Sequence, residues 1–132
     1  MNIVLWVLQV LLAAAFLAHG WLLLSPPPEI AAMMNAELPR AFWVFLGVAE
    51  VLAAIGLTLP GVTRVLPAAV VWAAGGVVIV MVSATIWHIA RGEFTSALVT
   101  TVLLAMAVVV AYMRQRVLPI RARGLEPHTT RS

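Results

Sequence analysis

The sequence of 132 residues lacks cysteine, lysine and aspartate, and only 10% of its residues are charged. Without cysteine there are no disulfides, no thiolate metal sites and no thiol relay of the kind that disulfide-forming membrane enzymes use. The net charge of +3 therefore comes from eight arginines against five glutamates. Hydrophobic residues make up 64% of the chain, against about 45–50% in soluble domains. A short chain of this composition predicts one compact domain inside a membrane.

Long apolar runs dominate the sequence. Each has about the 20 residues that a helix needs to cross a bilayer. Prolines follow the first run, and Pro60-Gly61 ends the second because proline removes a backbone donor. The pattern predicts an all-α membrane bundle of four helices, up-down-up-down, with short second and third connections. The predicted spans are 3–24, 41–59, 65–89 and 94–113, and residues 114–132 form a basic tail predicted to be flexible.

The first connection is the longest. Within the stretch from Glu29 to Glu37, apolar residues recur at spacings of three and four, as in an amphipathic helix lying at the membrane surface. A plain linker explains the same stretch equally well. The sequence leaves both interpretations open.

Arginine is concentrated at one end of the predicted bundle, and this sets the expected orientation. Because arginine favours the cytoplasmic side, both chain ends are predicted to be cytoplasmic. A cleaved signal peptide is the competing interpretation of the first run, but no basic residue precedes it and it exceeds the usual length. The arginines also predict contact with anionic lipid rather than nucleic acid. Arg64, Arg114, Arg116, Arg121 and Arg123 fall on the predicted inner side, and Arg40 and Arg91 on the outer side.

Glu50 is the most informative polar residue, since it falls near the middle of the second predicted span. A carboxylate there costs roughly 2–3 kcal/mol to insert, so it is expected to face the interior of the bundle. Trp43, Gly47 and Ala53 lie on the same helical face. A functional carboxylate in a groove of small side chains and a protonated glutamate that only bonds a neighbouring helix are both consistent with this pattern.

His19 and His88 lie near the outer ends of the first and third spans. Together with Glu50 they predict one catalytic unit in a pocket that opens outward, able to act as acid and base. No metal is assigned, because the spacing of typical metal motifs is missing. Gly75-Gly76 is expected to permit close helix packing. The predicted ligand-binding residues are Gln9, Phe16, Trp43, Gly47, Met81 and Thr85.

Three short motifs resemble those of the DoxX-like membrane proteins. They are Phe16-x-x-x-Gly20, Gly47-x-x-Glu50 with Gly56 and Leu59-Pro60, and Ala84-x-x-x-His88-x-x-Arg91-Gly92-Glu93. The resemblance covers residues 5–112 and implies a short four-helix membrane protein. The family takes its name from a relative associated with quinol oxidation and thiosulfate-linked quinone reduction, so the resemblance also implies a connection with quinones. Many relatives have a lysine shortly after the first glycine, where this chain has Leu23.

Several functional classes remain open. The first is an accessory or redox-associated protein that binds a quinone or another isoprenoid lipid. The second is an enzyme that isomerises or hydrolyses a terpenoid or sterol-like substrate by acid/base catalysis. A proton-coupled exporter of small molecules and a purely structural subunit complete the set. The expected partners are membrane lipid or a hydrophobic small molecule, and another membrane protein or a second copy of this chain.

Overall fold

The computed structural model describes residues 2–122, and this part of the chain is helical apart from the connecting turns and residues 118–122. The predicted all-α architecture is confirmed. Four of the helices are long and apolar enough to cross a membrane. The elements are α1 Asn2–Leu24, α2 Pro28–Glu37, α3 Arg40–Thr63, α4 Ala68–Ala90 and α5 Phe94–Tyr112, with π-helical turns at Met113–Val117.

The four long helices pack as two main pairs. Helix α1 lies chiefly against α3, and α4 against α5, while contacts between α3 and α4 and between α1 and α5 complete the bundle. The core includes Leu12, Leu57 and Val70, which have no solvent-accessible surface. Large apolar side chains also cover the outside, and Trp72 is 81% exposed. In a bundle of apolar helices, such a surface is suited to lipid.

Helix α2 decides between the two interpretations of the first connection. Pro27 and Pro28 start it, since proline suits the first turn of a helix. No residue of α2 is buried. Trp43 of α3 contacts this segment: its indole N–H donates to the carbonyl of Met34 at 2.9 Å and to that of Leu38 at 3.1 Å. The connection is therefore helical rather than a plain linker.

Three helix boundaries differ from the prediction. Helix α3 continues through Pro60 to Thr63 and ends at Arg64, which has the left-handed conformation. Pro60 removes one backbone donor in the last turn, and this loss does not outweigh the packing of Gly61 against Trp6. The next helix consequently starts at Ala68 rather than at residue 65. The last helix runs on to Val117 and buries Arg114, which the prediction placed in the tail. Arg123 and the residues that follow it lie outside the described residues.

Glycines set the distance between α1 and α3. A Cβ atom on Gly20 would lie 3.0 Å from the carbonyl oxygen of Gly47, and one on Gly47 would lie 3.0 Å from that of Gly20. The two backbones therefore touch at this crossing. Gly75 and Gly76 behave differently: a Cβ on either meets no described atom within 4 Å. The prediction that this second pair permits close packing is wrong, because it faces open space.

Candidate functional site

A histidine and a glutamate meet where α1 crosses α3. His19 adjoins Gly20, and Glu50 follows Gly47 by one turn, so the close contact of the two glycines brings the side chains together. His19 Nδ1 is 2.7 Å from Glu50 Oε2. The Glu50 side chain is 3% exposed and that of His19 is 57% exposed. An imidazole thus connects a buried carboxylate with the bundle surface, an arrangement that can move a proton.

An apolar groove of about 290 Å³ lies against the same carboxylate. Its walls come from α1, α3 and α4, and Glu50 is the one ionisable side chain among the described residues that form it. Such a groove suits an apolar molecule whose polar group points at Glu50. The lining residues are Phe16, Ala49, Glu50, Leu52, Ala53, Ala73, Gly76, Val77 and Val80.

His88 has a different partner from the one predicted. Its Nδ1 lies 2.6 Å from Glu93 Oε2, in the turn between α4 and α5, and His88 does not line the groove. The last turn of α4 leads directly into the turn that carries Glu93, so this carboxylate is local to the histidine. The structure therefore joins His19 to Glu50 and pairs His88 elsewhere.

The turn after α4 contains a network of charges. Arg91 Nε donates to Glu93 Oε1 at 3.0 Å, and Arg91 Nη2 donates to Glu37 at the end of α2. The hydrogen bond with His88 and then that with Arg91 lower the pKa of Glu93. The hydrogen bond with Glu93 and the charge of Glu37 raise the pKa of Arg91. The network connects α2 to the turn between α4 and α5.

Of the predicted ligand-binding residues, Phe16 lines the groove and Gly47 forms the crossing that positions the pair. Trp43 is engaged with α2. Met81 is buried in the core. The Thr85 hydroxyl donates to Thr100 at 2.8 Å and joins α4 to α5. These contacts of Trp43, Met81 and Thr85 hold the helices together and lie outside the groove.

Gln9 belongs to a second polar centre, which the sequence interpretation missed. Its amide nitrogen donates to the Leu57 carbonyl at 2.7 Å, and its amide oxygen accepts from Arg114 Nε at 2.6 Å. Arg114 is 3% exposed. The sequence offered one signal, the polar residue Gln9 inside the first apolar run. Arg114 offered none, because an arginine after the last apolar run is ordinarily a topology signal. The π-helical turns that extend α5 make Arg114 part of the bundle.

Within residues 2–122, no group of three or more His, Asp or Glu side chains is arranged to hold a metal ion. Glu50 and His19 form one pair of these residue types, and His88 and Glu93 form another at the turn after α4.

Comparison with known proteins agrees with the motifs and the bundle. The profile of the DoxX-like family matches residues 7–110, a range that includes His19, Glu50 and every lining residue of the groove. Searches of curated proteins and of solved structures gave no match. Since the family profile covers most of the chain, this protein is a member of the DoxX-like family.

Proposed function

We propose that this multi-pass membrane protein binds a quinone or another isoprenoid lipid in the groove beside Glu50 and His19, as an accessory or redox-associated protein. The observation that carries the proposal is the buried carboxylate at the wall of an apolar groove, hydrogen-bonded at 2.7 Å to a half-exposed imidazole. The groove supplies apolar contact, and the pair supplies one polar anchor. A ligand with an apolar body and a carbonyl group uses both.

The size of the groove favours partial enclosure of the ligand. Ligand pockets usually measure about 300–1,000 Å³, and this one, at about 290 Å³, is at the small end. It accommodates a ring but not a long isoprenoid tail. Leu52, on its rim, is 61% exposed, so the tail of a bound lipid extends into the bilayer. The ring carbonyl then accepts a hydrogen bond from the Glu50 carboxyl group, to which His19 can deliver a proton.

The same pair supports a second candidate, an enzyme that isomerises or hydrolyses a terpenoid or sterol-like substrate. A carboxylate and an imidazole at hydrogen-bonding distance are a common acid/base combination, and the groove would hold an apolar substrate beside them. The two candidates differ in one observable. A binding protein returns its ligand unchanged, whereas an enzyme converts it.

Ligand retention tests the proposed function. The protein, purified in mild detergent, is analysed by native mass spectrometry as wild type, Glu50→Gln, His19→Gln and the double variant. Since both groups act on one ligand, each single change should weaken retention of the co-purified lipid, and the double change should be little worse than the stronger single one. Chemical analysis of the released lipid then distinguishes a bound quinone from a converted substrate.

His88→Gln is the matched control, because His88 bonds Glu93 rather than Glu50 and should retain the wild-type amount of ligand. Unchanged ligand content in Glu50→Gln, or strictly additive losses in the double variant, would contradict a shared site. Equal loss in His88→Gln would indicate a general effect on the bundle.

We also propose that both chain ends face the cytoplasm. The support is the arginine content of the end where α1 begins and α5 ends, where the described residues Arg64, Arg116 and Arg121 are all exposed. The groove then lies near the middle of the membrane, because its lining residues fall near the middle of α1, α3 and α4. His19 lies on the outer side of Glu50.

A further inference from the structure

Arg114 forms a buried polar centre far from the groove, at the end of the bundle where α1 begins. Its Nε donates to Gln9 at 2.6 Å, and its Nη1 donates to Asn2 Oδ1 at 2.7 Å and to the Leu118 carbonyl at 3.1 Å. The residue is 3% exposed. Among the described residues, its Nη2 has no hydrogen-bond partner and is buried. A buried donor without an acceptor is costly and calls for an explanation.

The charge of Arg114 is also uncompensated within residues 2–122. Glu50 is paired with His19, Glu93 with His88, and Glu37 with Arg91. Glu29 belongs to α2 at the opposite end of the bundle. All three protein acceptors of Arg114 are neutral. A buried guanidinium in this situation favours an anion.

The surroundings of Arg114 are basic and aromatic. Arg64, Arg116 and Arg121 are exposed at the same end, and the guanidinium lies 5.3 Å from the centre of the Trp6 ring. Tryptophan is typical of the level of the lipid headgroups. A positive field at this level concentrates anionic groups near the site.

We propose that Arg114 binds a phosphate oxyanion, either the headgroup of an anionic phospholipid or free phosphate. One phosphate oxygen accepts a hydrogen bond from Nη2. A second oxygen accepts from Nη1 and replaces the Leu118 carbonyl, which is the most distant of the three acceptors. Gln9 and Asn2 keep the guanidinium in place. A planar guanidinium binds phosphate through two parallel hydrogen bonds, and basic pockets between membrane helices hold lipid headgroups in this way. This site is separate from the groove at Glu50.

Lipid titration tests the proposal. Delipidated protein in uncharged detergent is titrated with phosphatidylglycerol and with a phosphate-free glycosyl diacylglycerol, and native mass spectrometry measures the affinity of each. Wild type should prefer phosphatidylglycerol by at least about tenfold, as expected for hydrogen bonds to a charged group. Arg114→Gln should lose this preference. Arg116 is an exposed arginine on the same turns, and Arg116→Gln weakens the positive field without removing a hydrogen bond to the phosphate. Most of the preference should therefore remain.

Inorganic phosphate distinguishes the two sources. If it displaces phosphatidylglycerol at millimolar concentration, the phosphate group alone is recognised. If only the lipid binds, the headgroup is the ligand. Both results support the oxyanion site.

Three results would overturn it: equal affinity of wild type for both lipids, equal loss of preference in Arg116→Gln, or a preference that appears only in Glu126→Gln. The last would mean that a carboxylate of the chain occupies the site. If Arg114→Gln does not fold, Arg114→Lys replaces it, since lysine keeps the charge but not the two-pronged geometry. The affinities of wild type for the two lipids still test the proposal in that case.

Discussion

Glu93 is the side chain on which the contacts of the α4–α5 turn converge. It accepts from Arg91 and shares a hydrogen bond with His88, and these contacts lower its pKa. A lowered carboxyl pKa in the folded state means that its stabilising contribution is present above the ordinary glutamate pKa, about 4.3. That contribution is lost as the pH falls through the lowered value. The network therefore holds α2 and the turn together at neutral pH and releases them in acid.

We expect Glu93→Gln to lower the midpoint of thermal unfolding slightly at pH 7, because the glutamine cannot receive the same charge-assisted bonds. The difference from wild type should begin to shrink as the pH falls below about 4.3, where glutamate in the unfolded chain takes up a proton. It should be lost as the pH falls through the lowered pKa of Glu93 in the folded protein. Thermal unfolding in detergent between pH 7 and pH 3.5 measures this.

Glu29→Gln serves as the control, since Glu29 is exposed and has no side-chain hydrogen bond among the described residues. It should leave the midpoint unchanged across the range. A difference between Glu93→Gln and wild type that stayed constant down to pH 3.5 would show that packing, not charge, is responsible.

The crossing of α1 and α3 is the element contact that creates the site. A methyl group on Gly20 would lie 3.0 Å from the Gly47 carbonyl oxygen and 3.1 Å from the Glu50 Cβ. Backbone atoms cannot move aside as a flexible side chain does. We therefore expect Gly20→Ala to destabilise the bundle by about 1–3 kcal/mol, the usual cost of overpacking, and to weaken lipid retention by separating His19 from Glu50. Unfolding in detergent and native mass spectrometry provide the two readouts.

Gly75→Ala is the matched control, because a Cβ there meets no described atom within 4 Å. Replacing a helical glycine at an open position removes backbone freedom from the unfolded chain, so stability should stay equal or rise by about 0.4–1 kcal/mol. Equal destabilisation by both substitutions would mean that helix α4 also has a close neighbour at this position in the membrane.

The helices themselves were predictable because a span needs a run of about 20 apolar residues, and such runs are visible without tertiary information. The ends of the helices were less predictable. Pro60 stops a helix by local rules, yet α3 passes through it because Gly61 packs against Trp6 from α1. Arg114 belongs to the bundle for a similar reason, since Gln9 and Asn2 accept its hydrogen bonds. Contacts between residues more than 50 positions apart decide these boundaries, and no local pattern records them.

The candidate site was predictable in its first half only. Glu50 had to face inward because of its insertion cost, and His19 was expected near it because both were predicted to lie in the outer half of their spans. The rotation of α4 about its axis could not be derived, because its residues are apolar on all sides. The α4 wall of the groove, Ala73, Gly76, Val77 and Val80, was therefore missed. The pairing of His88 with Glu93 depends on the conformation of the turn after α4, and the spacing of apolar residues carries no information about that conformation.

The charge of the whole molecule is more asymmetric in the fold than in the sequence. Arg40, on the predicted outer side, donates to the carbonyls of Leu23 and Leu24 at 2.7 Å each and closes the end of α1. Arg91 is engaged with two glutamates. Arg64, Arg116 and Arg121 are exposed at the other end. Among the described residues, the exposed arginines that form no ion pair thus lie at the end where α1 begins.

Because exposed arginine is retained on the cytoplasmic side, we expect Asn35→Cys to react with a membrane-impermeant maleimide in intact cells. Val65→Cys should react only after the membrane is opened. The chain contains no cysteine of its own, so each variant carries a single label. Both positions are exposed and lie in opposite end regions of the bundle, which makes each the control of the other. Reversed labelling would place His19 on the inner side of Glu50 and would turn Arg114 towards the outer leaflet. It would thereby contradict the proposed orientation while leaving the fold and both sites intact.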